Sequence, residues 1–403
     1  MATIISVILL ASALLFTFSQ AQTATASIDC PAPQPTKPLN TTTPVFGFIP
    51  PYNGTGPTLL RFGCHQLVID RIDPLVNAGQ IPSPHQHQIV GGNAFSSSMP
   101  YTDISRKASC TTCGYSDDFS NYWTSDLYFR ARNGSYKRVS QLPGRYNFND
   151  TFPSAIHGGM VVYYVSDGRG LNSAFKPGFR MFMGDAALRA PPVSPDLSTQ
   201  NCFRCFSSPD FGGDLFAPCQ DDRVDTMFLP PRFCYGLRSN IVFPTCWDGA
   251  SLDSADHKSH VAYPEEGPAK FVGSKTGVKC PASHPVKIPQ LMVEIIWDTT
   301  PFNDPDLWPE DGTQPFVLSN GDRTGYSQHA DYVFGWKGDA LQRGMDAGCR
   351  GARCPGMKTQ TVEKAARCHV REMVKERHEG WLDTLPGNPA QPPGCGGPVQ
   401  PHY

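Results

Sequence analysis

Short apolar stretches, each closed by turn formers, recur along most of this chain between more polar segments. Leu67-Val-Ile-Asp70, Tyr122-Trp-Thr-Ser-Asp-Leu-Tyr-Phe129, Met160-Val-Val-Tyr-Tyr-Val165, Gly178-Phe-Arg-Met-Phe-Met183 and Gln290-Leu-Met-Val-Glu-Ile-Ile-Trp297 are rich in β-branched and aromatic residues, as strands are. In the last of these, Leu291, Val293, Ile295 and Trp297 fall on one face and Met292, Glu294, Ile296 and Asp298 on the other, because successive strand side chains point to opposite sides. One segment departs from this texture. Between Thr359 and Leu382, Val362, Ala366, Val370, Met373, Arg377 and Trp381 recur at helical spacing behind a threonine suited to cap a helix. The pattern predicts a mainly β protein, a sandwich or jelly-roll-like core with long loops and disulfides, with one C-terminal amphipathic helix packed on it.

The same pattern divides the chain. Residues 1–21 read as a signal peptide, an apolar run from Thr3 to Phe18 followed by Ser19-Gln20-Ala21. Residues 22–60 form a Pro/Thr-rich arm, 61–337 a β-rich domain, 338–387 a cysteine-containing helical extension, and 388–403 a Pro/Gly-rich tail. Thirty-nine prolines and thirty-seven glycines against 17% charged residues call for many turns. Thirty-four basic and thirty-six acidic residues, net −2, are scattered without a basic block, so neither nucleic acid nor an anionic membrane is an expected partner.

All fourteen cysteines follow the signal, an even number suited to disulfides in an oxidising compartment. Cys110-Thr-Thr-Cys113 and Cys202-Phe-Arg-Cys205 also have the spacing of a four-cysteine zinc site, the less favoured alternative. Asn40, Asn53, Asn133 and Asn149 each begin a glycosylation acceptor. The expectation is a secreted, extracellular, disulfide-bonded glycoprotein, monomeric, with glycan as its partner.

Candidate chemistry changes the picture in three places. His85-Gln-His87 and His329-Ala-Asp331 carry residues at i and i+2, which project to one face of a strand, and their four N/O ligands suit a transition metal. A divalent metal is therefore an option, although the main reading needs no cofactor; the alternative is that these residues fix loops by hydrogen bonding. Glu294 lies on an otherwise apolar strand face, where desolvation raises a carboxyl pKa and suits it to general acid work. A second acid is then sought among Asp248, Asp253, Asp256, Asp304 and Asp322, with His257 and His260 close by in sequence. Trp123, Trp247, Trp308 and Trp336, with Tyr122, offer flat faces for sugar rings, or else fill the core.

Several strings are more specific than these patterns. Arg71-Ile-Asp-Pro74, His85-Gln-His-Gln-Ile-Val-Gly-Gly-Asn-Ala-Phe95, Asp118-Phe-Ser-Asn-Tyr-Trp123, Phe243-Pro-Thr-Cys-Trp-Asp-Gly249, Leu252-Asp-Ser-Ala-Asp-His-Lys-Ser-His-Val-Ala-Tyr-Pro264 and Phe316-Val-Leu-Ser-Asn-Gly-Asp322 occur in one order. In these strings the chain resembles the fungal secreted family catalogued as domain of unknown function nineteen ninety-six, from about Arg61 to Trp336. The resemblance implies an extracellular fungal protein and no reaction. The residues themselves favour a hydrolase of cell-wall or plant polysaccharide working by carboxylate acid/base catalysis. A non-catalytic wall-polysaccharide binding or structural protein is the alternative.

Overall fold

The computed structural model describes residues 58–142, 159–166, 172–192, 201–209, 219, 224–265, 279–351 and 354–389. The expected signal peptide, nearly all of the arm, the end of the tail, Cys30 and the acceptors at Asn40, Asn53 and Asn149 lie outside the described residues. The protein is built on one large antiparallel sheet whose strand order is Asp225–Thr226, Asn201–Cys205, Leu237–Val242, Gln290–Trp297, Gly159–Ser166, Thr58–Asp70, His87–Gly91, Asn121–Ser125, His329–Val333 and Arg180–Gly184. Gln141–Leu142 and Arg350–Gly351 pair along its flanks. A smaller sheet of Phe316–Leu318, Leu127–Arg130, Tyr136–Arg138 and Trp381–Leu382 packs Leu127, Phe129, Phe316 and Leu318 into the same core.

The sheet has to curl. Three strands separate Gly159–Ser166 from His329–Val333, about 19 Å in a flat sheet. The Tyr164 hydroxyl nevertheless donates to the Tyr332 hydroxyl at 3.0 Å. Asn201 Nδ2 reaches the carbonyl of Gln328 at 3.0 Å, joining strands that lie still further apart in the order. The concave face encloses the main core, in which Phe62, Tyr122, Val162, Tyr164, Met181, Val293, Trp336 and Tyr332 are buried. Alternation along Gln290–Trp297 is as expected: Leu291, Val293, Ile295 and Trp297 enter that core, while Met292 joins Val161, Tyr163 and Val165 on the convex side. A second convex cluster, Leu67, Ile72, Ile89, Phe95, Trp123, Phe182 and Val333, lies under the loops between residues 71 and 110.

Among the described residues six disulfides join Cys64 to Cys113, Cys110 to Cys368, Cys202 to Cys219, Cys205 to Cys234, Cys246 to Cys280 and Cys349 to Cys354. Each Cys-x-x-Cys pair is thus split between two partners. The zinc alternative is excluded for these four sulfurs, which are oxidised and spread over four bridges.

The C-terminal helix is much shorter than its periodicity predicts. It spans Val362–Ala366, with Thr361 Oγ1 accepting from the Lys364 N–H. Beyond it Cys368 is tied to Cys110, and the Asp70 carboxylate takes the N–H groups of Met373 and Val374. Those donors serve a sheet side chain, so the helix cannot propagate; Met373 and Trp381, expected on its buried stripe, are exposed. Among the described residues no helix is long and apolar enough to cross a membrane.

Candidate functional site

His87, at the start of its strand, pairs in register with Ser125, whose hydroxyl lies 3.4 Å from both ring nitrogens of His329. His329 in turn stands opposite Gly184. His85, two residues before His87, brings its Nε2 to 3.1 Å from His329 Nε2, and its ring centroid is 4.3 Å from that of His87. The tripeptide is held from the other side, because Tyr128 donates to Gln86 Oε1 at 2.5 Å and Ser319 to the Gln86 carbonyl. All three histidines are buried, and one ligand atom from each lies within 4.8 Å of the others. Burial drives the His85 imidazole well below its ordinary value, reinforced by its two histidine neighbours and by Arg189. The same cause takes His87 to about 3 and His329 to about 4, so all three rings are neutral at physiological pH.

The adjacent row runs Ile89, Trp123, Asp331, Phe182. Asp331 is fully buried and its two oxygens have no hydrogen-bond partner among the described residues. Burial, and then the nearby Asp73, push its carboxyl well above the usual range. Asp73 is buried too and accepts from the N–H groups of Leu75 and Val76 at 3.1 Å. The sequence placed it within the string Arg71-Ile-Asp-Pro74 but gave it no chemical role, because its neighbour Asp331 arrives from a strand more than two hundred residues away.

A second grouping lies at the sheet edge. The segment after Leu252 covers the edge strand Arg180–Gly184, its carbonyls at Leu252 and His257 accepting from Arg180 and Phe182 while Lys258 Nζ bonds the Gly184 carbonyl. His257 Nδ1 lies 2.7 Å from Asp253 Oδ1, and the Tyr101 hydroxyl donates to Asp253 Oδ2 at 3.0 Å. The Arg180 guanidinium, anchored on the carbonyls of Met99 and Pro100, sits 3.9 Å from the centroid of the Tyr101 ring. That ring is 63% exposed. Burial pushes the Asp253 carboxyl up, but the bond to His257 and the neighbouring donors outweigh it and hold it below the usual range. Tyr101 was missed in the sequence because a lone tyrosine outside any strand pattern gives no signal.

The other expected site residues are placed differently. Glu294 is not among apolar neighbours: Tyr163 and Asn240 donate to it at 3.1 Å, and Arg61 and Arg238 approach within 3.8 and 3.9 Å. Its partners project from the strands flanking it and from the next one along, so it is a node in a buried ionic network, several strands from the histidines. Asp248 accepts from Ala250 and Ser251, and Asp256 from Lys258 and Ser259, so both are held low and fix turns. His260 is buried with Nδ1 against Ser254 Oγ and Nε2 on the Arg180 carbonyl, which occupies both nitrogens. Trp123, Trp247, Trp308, Trp336 and Tyr122 are all buried and present no platform to a sugar; Trp247 and Trp308 bond the carbonyls of Ser251 and Phe302 instead. His85, His87 and His329 come together, Asp331 stands in the next row, and His257, His260 and Glu294 do not join them.

Residues 73–336 match the model of a family described as a domain of unknown function, DUF1996. No curated protein and no solved structure matches the chain.

Proposed function

We propose, for a chain that belongs to the DUF1996 family, that it is a secreted protein which recognises wall or plant polysaccharide through the surface around Tyr101, Asp253 and His257. The observation that carries this reading is the fixed aromatic ring: Tyr101 is held at its hydroxyl by Asp253 and lies beside a buried guanidinium, while most of its surface remains in solvent. A ring already immobilised loses little entropy when a sugar stacks on it, and C–H groups of a pyranose suit an aromatic face. The carboxylate and imidazole at its rim supply partners for hydroxyl groups. The six disulfides among the described residues and an exposed acceptor at Asn133 support passage through an oxidising secretory compartment.

One observation favours a second reading, hydrolysis. The 2.7 Å contact between Asp253 and His257 is the geometry by which a carboxylate orients an imidazole for proton transfer. Glu294 does not support that reading, since its carboxylate is committed to two arginines, a tyrosine and an asparagine. Binding of the secreted protein to a panel of insoluble wall glycans, with analysis of soluble products, tests both. Tyr101→Ala should weaken binding by about 1–3 kcal/mol, by analogy with loss of a base-stacking ring. His257→Gln should leave binding nearly intact and remove any product. A wild-type protein that neither binds nor cleaves any glycan defeats the proposal, and equal binding by wild type and Tyr101→Ala defeats its placement.

A further inference from the structure

Buried polar atoms in native proteins are almost always hydrogen-bonded, and a concentration of exceptions asks for a missing partner. Such a concentration occurs on the convex face of three neighbouring strands. Both carboxylate oxygens of Asp331 are buried without a hydrogen bond among the described residues, and beside them the ring nitrogens of His87 and the indole nitrogen of Trp123 have only the Ile72 backbone and the Asp73 carboxyl group near enough to pair with. His87 and Trp123 belong to paired strands, and Trp123 and Asp331 face each other across the next pair, so the five atoms occupy two adjacent rows of one patch. Leaving a buried donor or acceptor unmade costs about 1–3 kcal/mol each, and an unpaired buried carboxylate more. A metal ion takes a lone pair from an imidazole nitrogen or a carboxylate oxygen, so it offers a bond to His87 and Asp331, though not to the donor-only indole of Trp123.

We propose that His85, His87 and His329 bind one first-row transition-metal ion of the imidazole-preferring kind, zinc or copper, with the Asp331 carboxyl group in the next row. Three imidazoles gathered within reach of one another are ligands that suit these ions. The 3.1 Å separation of His85 Nε2 and His329 Nε2 subtends about 100° at a metal 2.0–2.1 Å from each, inside the range of four-coordinate sites. The nitrogens of the triad lie within 4.8 Å of one another, against about 3.3 Å between ligand atoms in a tetrahedral site, so occupancy draws the rings inward by on the order of 1 Å. His329 Nδ1 bonds the Ser327 carbonyl at 2.9 Å, the outer contact that orients a ligating imidazole and leaves Nε2 for the metal. Lys258 and Arg189 are the cationic side chains whose fields reach this patch. His85 is the most exposed of the three, at 7%, and marks the side from which an ion enters.

The test uses the full chain, secreted and then stripped with a chelator. Zinc(II) and copper(II) are titrated separately in competition with a chromophoric chelator, with circular dichroism confirming that the stripped chain is folded. One equivalent of either ion should bind, its X-ray absorption should show three imidazole nitrogens at about 2.0 Å, and the ion should raise the melting temperature. His329→Gln should weaken binding by at least about 100-fold, more than a neighbouring outer-sphere residue does, and Asp331→Asn by about 10-fold to 100-fold. Should a histidine variant fail to fold, the wild-type stoichiometry and absorption spectrum decide. A folded wild-type chain that takes up neither ion overturns the proposal, as does uptake without imidazole scattering or a folded His329→Gln that binds like wild type.

Discussion

Asp118 lies in the core with its carboxylate accepting from the Ser120 N–H at 3.0 Å and the Tyr122 hydroxyl at 2.8 Å. The Tyr122 and Tyr164 hydroxyls are 2.6 Å apart and Tyr164 continues to Tyr332, so one acid terminates a chain of three buried phenols. Burial outweighs those donors and pushes the Asp118 carboxyl up to about 7. A raised acid pKa means that the folded state prefers the neutral carboxyl. Its contribution is therefore complete below the ordinary value of 3.8 and is lost as pH rises through about 7. Asp118→Asn should flatten the fall in unfolding free energy between about pH 4 and about pH 8 by on the order of a few kcal/mol, read from urea melts at each pH. An unchanged pH profile in the variant would show that Asp118 titrates normally. Glu294 shows another arrangement at the same scale, a buried carboxyl group with two guanidinium groups within 3.8 and 3.9 Å.

Strand elements here are placed by close backbone approach as much as by apolar side chains. The sequence Ile89-Val-Gly-Gly92 ends the strand that carries His87, and its two glycines sit against residues 119–121. A Cβ on Gly91 would lie 1.8 Å from the Ser120 carbonyl oxygen, and Gly91 has φ +112°, a conformation that side chains disfavour. Gly91→Ala should therefore destabilise the protein by more than about 3 kcal/mol and shift the strand on which His87 stands. Chemical denaturation checks the first effect, and loss of metal uptake in whatever folded fraction remains checks the second. The C-terminal segment shows the converse, an element prevented by its partners. Its apolar spacing is helical, yet one turn and a half forms, because the Asp70 carboxylate and the bond to Cys110 hold the following backbone in another path.

At the scale of the whole molecule, the Cys110–Cys368 bridge spans 258 residues and fastens the C-terminal segment to the convex cluster that backs the histidine patch. Replacing both cysteines with serine should cost about 5–6 kcal/mol by the chain-entropy estimate, seen as a lower melting temperature. The effect should be smaller if the reduced chain keeps residual structure, and a melting temperature equal to wild type would show that the bridge does not restrain the unfolded chain. What the sequence determined by itself was local: strand alternation, the mainly β class, oxidised cysteines, and the same-face spacing within His85-Gln-His87 and within His329-Ala-Asp331. Those features depend on the backbone's two-residue period and on composition, which act within a few positions. Tertiary structure alone decided which faces met. It aligned His87 with Ser125 and His329 in one row, surrounded Glu294 with arginines, sealed the tryptophans in a curled sheet, and left Tyr101 outside. Burial and partnership are set by register and curvature between strands far apart in the chain, and no local pattern encodes either.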